Sequence, residues 1–426
     1  MANGDDDPSG APVIGRGRGR ARGASPFADV VPTLWFAAGF GFAVLVWLLA
    51  GPVLPGGRWL AVHLFTLGVL TNVLLAFSEH FSRAMTRTPG QRAWWWTWVA
   101  NAGIVLVLLG LPAGWLPGLA IGATVLTGVV VAAWWRLRAM RRDAVGARFT
   151  WVVRLYERAH LAFVAAAVLG ALLGLGLIVG PWYLGARLAH LHANVLGWAG
   201  ITLLATLVFF GPTMARTRIE PGADDRAARA LRRGVVALFV AVLLLLLLGL
   251  PDGWATAARV TAGLALAGFA LAATAVCRPV WRAVIGARVT ASRPLLLGAV
   301  AWLVAVVWSD AAVVTAGAWR WLDAVGVAAL AGVLMPAILA TVIYLAPMLR
   351  GRTTGEREVV RIRLEVGART RAVLTNLAVL AAVVGAARLG GDLPVAGAGW
   401  GLLGATVVVT AVTGLWPLGA PDPGSA

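Results

Sequence analysis

Long apolar runs alternate with short polar segments along most of the chain. The run 234–250, GVVALFVAVLLLLLLGL, has no charged residue and is long enough for a bilayer core of about 30 Å. Because backbone groups in lipid must be satisfied internally, such runs are expected to be helices, and the fold class is an all-α integral membrane protein. Runs bounded by Pro, Gly or Arg predict about twelve transmembrane helices, at 33–54, 58–80, 94–115, 117–135, 158–180, 187–212, 234–250, 255–277, 293–314, 321–347, 370–388 and 394–418.

The arginines of the chain are concentrated in the loops after spans 2, 4, 6, 8 and 10. The loops after odd-numbered spans carry one arginine or none. The positive-inside rule then predicts a multi-pass protein of the cell membrane with both termini in the cytoplasm. The formal net charge of +18 lies largely in these loops. We therefore expect a lipid bilayer, and no nucleic acid, as the partner of this basic chain.

The ends of the chain differ from the apolar middle. Residues 1–30 include GRGRGRARG and are interpreted as a disordered cytoplasmic tail without a signal peptide. Residues 31–418 form the membrane domain, and 419–426 form a short C-terminal tail. The single cysteine, Cys277, excludes an intrachain disulfide and a cysteine-based metal cage.

Two of the apolar helices share a sequence pattern that begins with histidine. HLFTLGVLTNVLLAFSEHFSRAMTRT (63–88) and HANVLGWAGITLLATLVFFGPTMART (192–217) are identical at ten of 26 ungapped positions. Chance would give roughly three identities between helices of this composition. A further shift of 135 residues aligns Gly197 with Gly332 and Pro212 with Pro347 in span 10. The chain is therefore predicted to contain three four-helix units, roughly 33–135, 158–277 and 293–418.

With these features the chain resembles the haem-copper oxidase subunit I superfamily. The phrases HLFTLGVLTN and HLHANVLGWAGITLLATLVFFGPTMART carry a closer likeness to a divergent branch. That branch comprises the membrane domains of actinobacterial copper oxidases, some of which precede a cupredoxin-type multicopper oxidase or nitrite reductase. The NnrS family of haem- and copper-containing membrane proteins is a more distant relative. The resemblance implies three four-helix arcs with metal ligands on spans 2, 6 and 10, toward the outer side.

The chain also departs from the respiratory oxidases. Span 10 has no histidine, and Val327 stands at the position that matches His192. The acidic residues Glu79, Asp310 and Asp323 are expected at span ends, so no carboxylate is expected at mid-membrane for a proton path. Oxygen reduction and proton pumping are therefore not expected, and whether the protein is an enzyme or only an oxidoreductase component is left open.

The histidines are the candidate ligands. The resemblance and a threefold arrangement imply that His63 faces His192 across the unit boundary, as ligands of a haem b or a copper ion. His190 is a candidate third metal ligand only if the helix begins at or after it, because residues two apart on a helix point to opposite sides. Trp198 is the candidate for packing on the cofactor. His80 and His160 are expected near the cytoplasmic interface.

These expectations define a redox or copper-related electron-transfer protein of the outer face. A separate cupredoxin or multicopper protein is the expected redox partner, and a homo-oligomer is left open. One alternative is a metal-free transporter or scaffold that keeps only the fold, with structural histidines. Another is copper transport, but the chain has one cysteine and six methionines without a Met-x-x-Met cluster, whereas Cu(I) favours soft sulfur ligands.

Overall fold

The computed structural model describes residues 30–50, 56–88, 95–144, 149–288, 290–351, 353–389 and 394–415. In these ranges the chain is helical without a β-strand, and eleven helices are long and apolar enough to cross a membrane. The prediction of an all-α, multi-pass membrane protein is thus confirmed. The predicted tail 1–30, apart from Val30, and the tail 419–426 lie outside the described residues.

The helices are numbered in chain order, and three π-helical segments are numbered separately. Span 2 consists of α2 (Gly57–His63), π1 (Leu64–Leu70) and α3 (Thr71–Thr86). Span 6 consists of α7 (Trp182–His192), π2 (Ala193–Gly200) and α8 (Ile201–Met214), and span 10 of α12 (Leu322–Val327), π3 (Ala328–Leu334) and α13 (Met335–Arg350). The other elements are α1 (Val31–Ala50), α4 (Trp95–Gly110), α5 (Leu116–Asp143), α6 (Thr150–Gly174), α9 (Ala223–Leu246), α10 (Asp252–Ile285), α11 (Arg293–Ala316), α14 (Thr354–Glu365), α15 (Ala368–Leu389) and α16 (Pro394–Leu415).

The predicted spans correspond in order to these elements except α14, which lies in the segment predicted as the loop between spans 10 and 11. Span 3 corresponds to α4, which has 16 residues and covers roughly 24 Å at the usual helical rise. Two helices begin well before the predicted spans. The helix α6 starts at Thr150 rather than 158, and α9 starts at Ala223 rather than 234. Their first turns contain charged residues that end the hydropathy signal but do not end the helix.

The early start of α6 has a local cause in a buried ion pair. Glu157 is buried, and its two carboxylate oxygens accept hydrogen bonds from Nε and Nη2 of Arg141 near the end of α5. This pairing provides the charge compensation that a buried carboxylate requires, so the helix can continue through a polar turn.

The π segments occur once in each of spans 2, 6 and 10. They begin at Leu64, Ala193 and Ala328, which are 129 and 135 residues apart (193 − 64 and 328 − 193). In π1 the wider hydrogen-bonding period is visible at Thr71, whose backbone N–H and side-chain hydroxyl both donate to the Thr66 carbonyl five residues earlier. Single π turns are frequent at functional sites, so the beginnings of spans 2, 6 and 10 are candidate positions for a functional site.

Each π segment packs closely against the odd-numbered span before it. An added Cβ at Gly68 would clash with the Phe40 ring, and one at Gly197 would lie 2.7 Å from the Ala162 Cβ. At Gly332 the Cβ would lie 2.9 Å from Trp302. The partners belong to α1, α6 and α11, so glycine permits the same kind of close helix contact in all three places.

Candidate cofactor site at the upper ends of spans 2 and 6

The end of the bundle at which spans 2, 6 and 10 begin is called the upper end. There the imidazole rings of His63 and His190 lie with their centres 6.4 Å apart and their planes 21° from parallel. His63 is the last residue of α2, and His190 lies in the last turn of α7. The structure therefore brings together one sequence-predicted ligand from span 2 and one from span 6.

Both rings are anchored through the same nitrogen. Nδ1 of His63 lies 2.8 Å from the Trp59 carbonyl, and Nδ1 of His190 lies 2.8 Å from the Ala166 carbonyl of α6. Because a carbonyl only accepts, Nδ1 carries the proton and donates in each ring. This leaves Nε2 with its lone pair, which is the tautomer that metal-ligating histidines adopt when a backbone carbonyl orients them.

Neighbouring side chains hold these two rings in place. The indole of Trp59 stacks on His63 with ring centres 4.2 Å apart. Nδ2 of Asn194 donates to the backbone carbonyl of His190 at 3.1 Å and lies 3.5 Å from both nitrogens of the ring. The indole of Trp59 thus holds the His63 ring, and the side-chain amide of Asn194 holds the His190 ring.

His192 faces a different partner. Its Nε2 lies 3.1 and 3.2 Å from the two carboxylate oxygens of Asp310 in α11, and its Nδ1 donates to the Leu188 carbonyl at 2.8 Å. The expected facing of His63 and His192 is therefore not what the structure shows. Because α7 is regular helix through both residues, positions 190 and 192 point to opposite sides, and only His190 reaches His63. With both ring nitrogens engaged, His192 has none left for a metal.

The position of Asp310 corrects a second expectation. It lies six residues before the last residue of α11, Ala316, and is 3% exposed, so it lies inside the span rather than at its end. Glu79 is likewise buried within α3, where it pairs with Arg83 and Arg136. Asp323 does lie near the start of span 10 and forms an exposed ion pair with Arg58.

The aromatic candidate lies against α6. Trp198 is buried, and its ring contacts His160 edge-on at 4.6 Å and Phe163 at 5.1 Å between centres. Its Nε1 is buried without a hydrogen-bond partner in the described part of the chain. His160 is 1% exposed and lies in the third turn of α6, where its Nδ1 donates to the Tyr156 carbonyl; its predicted position near the cytoplasmic interface stays a prediction. His80 is half-buried in α3, with its ring 5.8 Å from that of Phe81.

These side chains limit which metal site the protein alone could form. Among the described residues, no group of three or more His, Cys, Asp or Glu side chains lies close enough to hold a metal ion. The three-histidine set of His63, His190 and His192 is therefore not assembled. What remains is a pair of imidazoles that each carry a lone pair on Nε2.

The spacing of the two rings is the observation that bears on a cofactor with two protein ligands. Two imidazoles that bind one metal ion from opposite sides, with bonds of about 2 Å, have ring centres about 6 Å apart. The 6.4 Å separation of the two rings agrees with this spacing. A haem would need only two ligands from the protein, and these two imidazoles would hold it. Tetragonal Cu(II) requires more nitrogen or oxygen ligands than this pair supplies.

Comparison with known proteins adds no relative: no protein-family model matches the chain, and no curated protein matches its sequence.

Proposed function

We propose that this chain is a membrane haem- or copper-binding protein of the oxidase subunit I type, with His63 and His190 as the ligands. The observation that carries the proposal is the pair of near-parallel imidazoles, 6.4 Å apart, each anchored at Nδ1 by a backbone carbonyl. Haem is favoured over copper, because the described side chains around the pair add no third His, Cys, Asp or Glu.

The three π segments support the proposed threefold organisation. Their starting points follow the offsets of the sequence repeat, and each segment packs against the preceding odd-numbered span. In this arrangement Val327, the last residue of α12, corresponds to His63 and His192. A site of the kind formed by His63 would then be absent from span 10, in keeping with a protein that does not reduce oxygen.

The residues of the chain have separable roles in this proposal. Nε2 of His63 and Nε2 of His190 bind the cofactor, while the Trp59 and Ala166 carbonyls orient the rings. A haem with two imidazole ligands supplies one-electron redox chemistry. Trp59 stacks on His63 and would hold that ring in position for the cofactor. The positive-inside rule applied to the arginine-rich loops supports an outer position for this end, where a separate cupredoxin or multicopper protein would exchange electrons.

Absorbance spectra of the detergent-purified protein, with and without dithionite, test the proposal together with copper analysis. We expect a Soret band that is lost in His63→Ala and His190→Ala and kept in the control His80→Ala, which changes a histidine 17 residues further along span 2. The folded fraction of His192→Ala should keep the Soret band. Folded wild-type protein with neither haem nor copper would reject the proposal in favour of a metal-free scaffold or transporter.

A further inference from the structure

We propose that Gly170 of α6 is a positioning residue for the His63–His190 pair, because its missing side chain provides the seat for the His190 ring. The inference deepens the proposed function and rests on it for its spectroscopic consequences. It makes span 5 the third wall of a site whose ligands come from spans 2 and 6.

The seat is formed by one turn of α6. The Ala166 carbonyl accepts the Nδ1 proton of His190, and Gly170 follows four residues later on the same face of the helix. A Cβ at Gly170 would lie 2.6 Å from Cε1 and 2.9 Å from Nδ1 of His190. Side-chain atoms do not approach a Cβ this closely, so any residue other than glycine requires the ring to move.

Contacts on two sides limit where the ring can move. Its hydrogen bond comes from the nitrogen that a new Cβ would contact, and the Asn194 amide lies 3.5 Å from both ring nitrogens on the side of its own helix. Because Nδ1 lies beside the new Cβ, we expect displacement of the ring to break the bond to the Ala166 carbonyl. The ring then loses its fixed tautomer and its 6.4 Å spacing from His63.

This predicts a specific change in the spectrum of the loaded protein. With two imidazoles bound, haem iron is six-coordinate and low-spin and has no position for carbon monoxide. Gly170→Ala should lose one imidazole, so the added hemin should become high-spin and, after reduction, bind carbon monoxide. The matched control is Gly128→Ala in α5, where an added Cβ meets nothing within 4 Å.

The experiment titrates hemin into detergent-solubilised wild type, Gly170→Ala and Gly128→Ala, and records spectra before and after carbon monoxide. The inference predicts that only Gly170→Ala binds carbon monoxide. Identical low-spin spectra in all three proteins would overturn it while leaving the proposed function intact. Wild-type protein that takes up neither hemin nor copper would instead overturn the proposed function.

Thermal unfolding provides a second measurement that does not depend on a cofactor. Gly170→Ala should lower the unfolding temperature in wild type, but it should have little effect in a His190→Ala background, where the clash is absent. An equal effect in the two backgrounds would show that Gly170 does not act through His190. Comparing the two backgrounds also tests the inference if Gly170→Ala alone folds poorly, because His190→Ala should then restore folding.

Discussion

Span 6 makes two polar contacts of opposite character within three residues. His190 and His63 are half-buried, and each ring donates from Nδ1 to a backbone carbonyl and carries its lone pair on Nε2. His192 meets Asp310 at a place with 0% and 3% exposure, where both of its nitrogens are engaged. The His63–His190 contact leaves nitrogen lone pairs that a ligand could use, whereas the His192–Asp310 contact uses both ring nitrogens of His192 within the protein.

The difference follows from what each environment requires. A carboxylate inside a membrane span must be paired, and Asp310 takes His192 as its partner. The rings of His63 and His190 do not satisfy each other, since each nitrogen that donates is already bound to the backbone. A pair of imidazoles brought together without bonding to one another is the better candidate for a functional role, and the buried ion pair is the better candidate for a structural one.

The largest effect that separates the two contacts should come from Asp310→Ala. This change leaves His192 buried without its partner, and breaking a buried pair on one side costs about 3–5 kcal/mol. Chemical unfolding in detergent micelles would measure the loss. His192→Ala should have a similar cost, because it leaves the carboxylate unpaired instead.

The double variant His192→Leu/Asp310→Leu sharpens this prediction. Replacing both partners with apolar side chains removes the unpaired charge, so the double variant should be more stable than either single variant. If the two single changes were additive, His192 and Asp310 would not be a coupled pair, and the distinction from the His63–His190 contact would fail.

A smaller loss of stability is expected from Gly197→Ala, which should disturb both the His63–His190 and the His192–Asp310 contacts. The new Cβ would lie 2.7 Å from the Ala162 Cβ and would push π2 away from α6, and with it both histidines of span 6. Overpacking of this kind costs about 1–3 kcal/mol. Unfolding of Gly197→Ala and Gly128→Ala should therefore differ, and equal stability of the two would show that span 6 is not held by this contact.

Much of the fold could be predicted from the sequence, because lipid selects for long apolar helices and hydropathy reports them directly. The boundaries were less accurate where helices continue through charged turns. Glu157 ends the apolar run of α6, although its pairing with Arg141 keeps the helix intact. The π segments were not predictable, since no composition signal distinguishes a wider backbone hydrogen-bonding period.

The sequence could predict which histidines belong to the site, but it could not predict which side chain each of them contacts. Sequence alone identified His63, His190 and His192 near one level of the bundle, and the rule that residues two apart diverge implied that only one faces His63. Which one depends on the rotation of span 6, and this is set by packing against α6 rather than by hydropathy. Asp310 was missed as a partner because it was assigned to a span end, and Gly170 because a single glycine carries no pairing signal.

Removing the His63–His190 contact should affect stability less than removing the buried pair. His63→Phe keeps an aromatic ring for Trp59 to stack on and loses one hydrogen bond, which contributes about 0.5–1.5 kcal/mol. Unfolding of this variant without added cofactor measures that cost. A loss as large as that of Asp310→Ala would mean that the histidine pair is structural and that burial does not distinguish the two contacts.

The smallest effect is expected at the third polar contact of the upper end, between Arg58 of α2 and Asp323 of α12. The pair is 3.1 Å apart, but its side chains are 60% and 46% exposed, so water screens their attraction. Exposed pairs of this kind contribute at most about 1 kcal/mol. Arg58→Gln should therefore unfold almost as wild type does, and added salt should remove the remaining difference. A large, salt-independent loss of stability would indicate that Arg58 and Asp323 join spans 2 and 10 as strongly as His192 and Asp310 join spans 6 and 9. Burial would then not be the property that separates structural from functional contacts in this protein.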